Sequence, residues 1–82
     1  MTLATRLLDA RGLRCPQPTL KIAVVATQLR PGDELEVIAD CASFETDLRD
    51  FCRRSGRLLL WLREEAAEGP GAGRVRRCLL RI

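Results

Sequence analysis

Cys15 stands between a turn flanked by cations and two closely spaced prolines, in the order Gly12-Leu13-Arg14-Cys15-Pro16-Gln17-Pro18. Proline suits the first helical position, where its fixed φ matches the helix and its missing N–H would have had no intrahelical partner. With Pro16 there, Cys15 becomes the N-cap, and Pro18 falls in the first turn, where it breaks no bond of the ladder. The backbone N–H groups of Gln17 and Thr19 and the positive end of the helix dipole would stabilise a thiolate at this place, and Arg11, Arg14 and Lys21 add positive charge. Such sites bring a cysteine pKa from about 8.5 down to roughly 3.5–7.5. The alternative is an inert cysteine ahead of a Pro-initiated helix, and the double proline with its flanking cations weighs against it. Once ionised, a thiolate attacks sulfur without a general base, so thiol–disulfide or thiol–persulfide exchange is the chemistry to expect.

The chain contains no histidine. Cys–His nucleophilic catalysis, His acid–base chemistry and His-containing zinc sites are thereby excluded. Cysteines at positions 15, 41, 52 and 78 have no Cys-x-x-Cys spacing, so neither a Cys₄ metal site nor a stapled disulfide scaffold is expected, and no cofactor is called for. A chain of 82 residues has room for one domain, 1–82, with a compact core. Without a secretory h-region or a bilayer-length apolar run, a cytoplasmic protein with no direct membrane contact is expected.

Charge is unevenly spread. Residues 1–41 hold five basic and five acidic side chains, and residues 42–82 hold nine Arg against six acids. Arg74, Arg76, Arg77 and Arg81 lie in a terminal stretch without an acid, where an acidic protein surface or an RNA backbone could be met. A solvated strand face is the simpler account of them.

Four strands and two helices must position Cys15. Thr5–Ala10 reads as a first strand, with Arg11-Gly12 as the turn that follows. The helix predicted over Pro16–Leu29 stops before Pro31-Gly32. Ile22, Val25, Ala26 and Leu29 form one apolar stripe, and Leu20, Ala23 and Val24 a second whose outer part should reach the surface. Glu34–Ala39 alternates, with Leu35, Val37 and Ala39 on one side and Glu34, Glu36 and Ile38 on the other. Ala42–Ser55 places Phe44, Leu48, Phe51 and Cys52 on one helical face and ends at Gly56. Arg57–Glu64 is a third strand, Ala66–Gly73 a loop, and Arg74–Ile82 a fourth strand with Cys78, Leu80 and Ile82 inward. The order gives a two-layer α/β (α+β) sandwich, βαβαββ, with a four-stranded mixed sheet and both helices on one face. Cys15 and Asp40-Cys41 then follow the two parallel strands at the edge where function collects in such sheets.

Leu8-Asp9-Ala10-Arg11-Gly12-Leu13-Arg14-Cys15-Pro16-Gln17-Pro18, with Arg30-Pro31-Gly32-Asp33 and Val37-Ile38-Ala39-Asp40 downstream, resembles the TusA/SirA-like family of small sulfur-carrier proteins. The resemblance covers essentially the whole chain. It implies the same βαβαββ architecture and a persulfide carried on the cysteine of Cys-Pro-x-Pro, here Cys15 alone. On this reading Cys15 takes a sulfane sulfur from a cysteine desulfurase or rhodanese-type donor and hands it to a downstream acceptor protein. The pathway would be tRNA thiolation, molybdenum-cofactor maturation or sulfur oxidation. Arg14 and Lys21 would stabilise the anion, Gln17 would donate its N–H, and Pro16 and Pro18 would fix the geometry. Leu20 and Val24 would dock the partner. Cys41, where the family pattern shows a polar residue, would be an N-cap thiol less acidic than Cys15 because of Asp40. It is expected as a bystander or secondary sulfur site, with its Cα beyond disulfide reach of Cys15. Two other readings remain: a thiol redox switch in which Cys41 resolves an oxidised Cys15, and an RNA-binding module that uses the Arg-rich last strand but is short of stacking aromatics.

Overall fold

Leu35, Val37 and Ala39 have no exposed surface, and the strand that carries them is the spine of the protein. A computed structural model describes residues 5–14, 17–66 and 73–82. The elements are β1 (Thr5–Asp9), α1 (Gln17–Ala26), β2 (Glu34–Ala39), α2 (Phe44–Ser55), β3 (Leu58–Ala66) and β4 (Arg74–Arg81). They form one sheet in the order β1-β2-β4-β3. β1 runs parallel to β2, and β4 is antiparallel to both β2 and β3. The expected element order and mixed sheet are therefore present.

The core lies between the sheet and the helices. Leu35, Val37, Cys78 and Leu80 meet Ile22 of α1 and Phe44, Leu48 and Cys52 of α2, all of them buried. Phe51, expected on the α2 stripe, is only half-buried at its margin. Gly56 ends α2 at φ 75°, where a side chain would be strained, and its N–H bonds the Cys52 carbonyl at 2.9 Å.

α1 ends three residues earlier than predicted. Beyond Ala26 the N–H groups of Thr27, Gln28 and Leu29 reach back only three residues, to Val24, Val25 and Ala26. The Thr27 hydroxyl also donates to the Val24 carbonyl at 2.6 Å, which competes with the helical ladder. The chain then turns at Arg30-Pro31-Gly32-Asp33. Buried Asp33 accepts the Arg30 N–H at 2.9 Å, and its carbonyl accepts the Ile82 N–H at 2.8 Å. This clasp ties the start of β2 to the end of β4.

Away from the helices, Ile38 is 7% exposed, although alternation alone places it on the solvent face. Its register partner is Arg77, whose guanidinium reaches Glu65 at 2.9 Å and Glu36 at 3.3 Å. Arg77, Glu65, Leu7 and Val75 line a shallow hollow over Ile38.

Burial has a measurable consequence at Cys78. Its thiol is pushed up from 9.0 to about 12 by desolvation. Below about pH 9 folded and unfolded chains both hold this proton; between pH 9 and 12 only the folded chain does, so stability falls as pH rises, by at most about 1.4 kcal/mol per pH unit. Urea unfolding at pH 8 and pH 10.5 should show a smaller loss for Cys78→Val than for the wild type. Equal losses would contradict the assignment.

Candidate functional site

Because β1 and β2 are parallel, the turns that leave them emerge side by side at one edge of the sheet. The Ala10 N–H continues the pairing to the Ile38 carbonyl at 2.7 Å. Two residues later the Gly12 N–H donates to Asp40 Oδ1 at 3.0 Å. Gly12 has φ 82°, a conformation that costs an L side chain roughly 1–2 kcal/mol. The glycine thus serves to aim its N–H at the neighbouring turn.

Cys15 and Pro16 lie outside the described residues, so the expectations placed on them rest on sequence. The residues on either side of them are described. Gln17 opens α1, and its N–H donates to the Arg14 carbonyl at 2.7 Å. That donor is the one expected to stabilise the thiolate, and among the described residues its partner is the Arg14 carbonyl. Pro18 is also more than a stiffener, since it is among the largest fully buried side chains of the protein.

The cations divide into two groups. Arg11, expected to add to the field at Cys15, grips Asp9 through two hydrogen bonds of 3.0 and 2.8 Å. These bonds, with the Arg11 N–H, hold the Asp9 carboxyl down at about 2. Arg14 and Lys21 are exposed, and among the described residues neither is engaged by a carboxylate. They are the two whose charge is left for an anion.

The late arginines do not form an open basic patch. Arg74 pairs with Glu64, Arg77 with Glu36 and Glu65, and Arg81 with Glu34. Arg76 Nη1 lies 3.4 and 3.5 Å from the carbonyls of Cys41 and Ala42. Phe44 is fully buried, and Trp61 is half-buried under Arg63, whose guanidinium sits 4.7 Å from the ring centre. The case for stacking bases on this strand is correspondingly weak.

Cys41 departs from its expected place. Ser43, not Cys41, is the N-cap of α2, because the helix begins at Phe44, two residues later than predicted. Cys41 lies in the turn before it, half-buried, and accepts the Phe44 N–H on its carbonyl at 3.1 Å. It is disulfide-bonded. Cys52 and Cys78 are free thiols and buried, and burial raises the pKa of each.

Next to this edge α1 presents Leu20 and Val24, exposed by 60% and 61%. With Leu13, Gln17 and Lys21 they line a hollow of about 290 Å³. On the α2 side Leu20 also borders a groove of about 490 Å³ with Ala23, Asp47, Asp50 and Phe51. Among the described residues no cluster of three metal-ligating side chains occurs, and no helix is long and apolar enough to cross a membrane.

The profile of the family described as sulfurtransferase TusA matches residues 6–75. The chain belongs to the TusA sulfurtransferase family. Two relatives from Neisseria meningitidis, one from serogroup A and one from serogroup B, are each 38% identical over 64 residues, covering 78% of this chain and 81% of theirs; their names are "Putative sulfur carrier protein" NMA0882 and NMB0681. The TusA match takes in both turns and both helices and stops at Val75. Arg76, which holds the Cys41 turn, lies just beyond it. Sequence reasoning assigned Arg76 only to a charge run, and its role becomes visible once Ala39 and Arg76 are seen to be register partners.

The Gly12–Asp40 link should be detectable in stability. Gly12→Ala should cost about 1 kcal/mol or more in urea unfolding, and Gly12→Asn less, because asparagine tolerates positive φ. Equal costs would show that the conformation at Gly12 is not what matters.

Proposed function

We propose that the protein is a sulfur carrier in which Cys15 accepts sulfane sulfur as a persulfide and passes it to a partner. The observation that carries the reading is the joining of the two turns by Gly12 and Asp40 at the sheet edge, beside the helix that follows the Cys-Pro-Gln-Pro stretch in the chain, with Arg14 and Lys21 exposed. A thiolate there is favoured by the helix N-terminus and the two cations, and exchange between sulfurs needs no histidine. Membership of the TusA family and the names of the Neisseria relatives support sulfur carriage.

The donor is a protein persulfide, as on a cysteine desulfurase or a rhodanese, and the acceptor is a thiol on a downstream protein. tRNA thiolation, molybdenum-cofactor maturation and sulfur oxidation all use such relays, and the cytoplasm is where they would draw on this carrier. Leu20 and Val24 are the docking surface, since exposed apolar side chains beside a reactive thiol favour a protein partner. Arg14 and Lys21 lie close by to meet its acidic groups.

Incubation with a cysteine desulfurase and ³⁵S-cysteine tests the reading. Label should appear on the wild type, be removed by dithiothreitol and be absent from Cys15→Ser. Label that persists in Cys15→Ser, or never appears on the wild type, would overturn it. Val24→Glu should fold normally by circular dichroism yet acquire label about tenfold more slowly, the loss expected from about 1.4 kcal/mol of docking energy. Unchanged kinetics would remove Val24 from the docking surface.

A further inference from the structure

Both helices pack on one face of the sheet, and the other face sorts its charges by strand. Leu35, Val37, Cys78 and Leu80 are buried against the helices, so alternation turns Glu34 and Glu36 of β2 and Arg77 and Arg81 of β4 the opposite way. Asp9 and Leu7 of β1 share that open face, where they line the hollow over Ile38. Arg63 and Trp61 of β3 share it too, as register partners of Arg77 and Leu79. The β1–β2 half thus holds three acids, Asp9, Glu34 and Glu36, and no strand cation, since Arg6 lies on the helix side and donates to Gln28. The β4–β3 half holds Arg63, Arg77 and Arg81 with one acid, Glu65.

We propose that this open face is a self-association surface, occupied by the same face of a second copy of the chain. Two sheets pack face to face about 10 Å apart with their strands nearly aligned. A twofold axis along the strands, between β2 and β4, lays the acidic half of each copy over the basic half of the other. Register partners lie at one height, so each row across the sheet returns onto itself in reverse. The row Asp9, Ile38, Arg77, Arg63 therefore sets Asp9 over Arg63 of the second copy. Glu34 likewise falls over Arg81, and Leu7, 59% exposed in the single chain, over Trp61.

Charge complementarity selects this occupant. An acidic partner or a nucleic acid would be repelled by the β1–β2 half, and a basic one by the β4–β3 half. A second copy supplies both signs in reverse order by symmetry. Four strands about 4.8 Å apart make a face roughly 19 Å wide, at the small end of specific interfaces, so a weak dimer is expected. Its helices face outward, which leaves Leu20 and Val24 uncovered, and the two Gly12–Asp40 edges emerge at the same end.

Sedimentation velocity under reducing conditions, where no dimer is held by cysteine, tests the pairing. Wild type should pass from monomer to dimer between about 1 µM and about 1 mM, and the emission of Trp61, the single tryptophan, should shift to the blue as it does. Asp9 and Arg63 stand on opposite edge strands, roughly 14 Å apart by three strand spacings, so a coupling between them reports contact between copies. Asp9→Arg and Arg63→Glu should each fold by circular dichroism and each dimerise at least about tenfold more weakly, because each homodimer sets like charges face to face twice. An equimolar mixture of the two should regain the dimer, since both contacts of the mixed pair join opposite charges. Leu7→Glu gives an independent check at an exposed side chain and should also lose the dimer. Wild type that stays monomeric to about 1 mM, folded variants that dimerise as wild type does, or a mixture of folded variants that stays monomeric would overturn the proposal.

Discussion

The parallel pairing of β1 with β2 is the constraint on which the functional edge depends. An antiparallel pair would send the two following turns to opposite ends of the sheet; a parallel pair delivers them together. The pairing continues past the strands, through Ala10 to Ile38 and then from Gly12 to the Asp40 carboxylate. The backbone before Cys15 is thereby referenced to the backbone before Cys41. Burial holds the arrangement from beneath. β2 supplies Leu35, Val37 and Ala39 to a core that also anchors α1 through Ile22 and α2 through Phe44 and Leu48, so the edge cannot shift without disturbing well-packed side chains.

Electrostatics sorts the arginines by the company they keep. The carboxylates of Glu34, Glu36, Glu64 and Glu65 take up Arg81, Arg77, Arg74 and Arg63, largely across neighbouring strands. Most of these pairs are partly exposed and add little to stability. Their larger effect is to remove positive charge from the sheet face and from any competition with Arg14 and Lys21. Most arginines of the second half are thus engaged by the fold, whereas Arg14 and Lys21 in the first half are exposed and have no carboxylate partner among the described residues.

Period and punctuation in the sequence made the architecture legible. Alternation through Leu35, Val37 and Ala39 gave β2 its bounds, and the helical spacing of Phe44, Leu48 and Cys52 gave α2 its buried face. The end of α1 was not legible, because it depends on a bond between the Thr27 hydroxyl and the Val24 carbonyl that propensity does not register. Ile38 was misplaced for a related reason: alternation assumes that the second face meets water, and here ion-paired side chains partly cover it. At the site, the motif and the glycine turn were visible, but the partners were not. Asp40 on Gly12 and Arg76 on the Cys41 carbonyl join segments far apart in the chain, and a strand order must be known before they can be foreseen; Asp9 on Arg11 is a local contact that depends on the conformation of the turn.

The central claim is that Cys15 is a thiolate at neutral pH by virtue of its mount, and its alkylation rate as a function of pH tests that most directly. Reduced protein would be treated briefly with iodoacetamide across pH 4–10 and each cysteine quantified by peptide mapping. Cys15 should react first and reach half its maximal rate between about pH 3.5 and 7.5, whereas Cys78, held up at about 12 by burial, should stay unmodified in the folded protein. A midpoint for Cys15 at or above about 8.5, the value of a free thiol, would contradict the account.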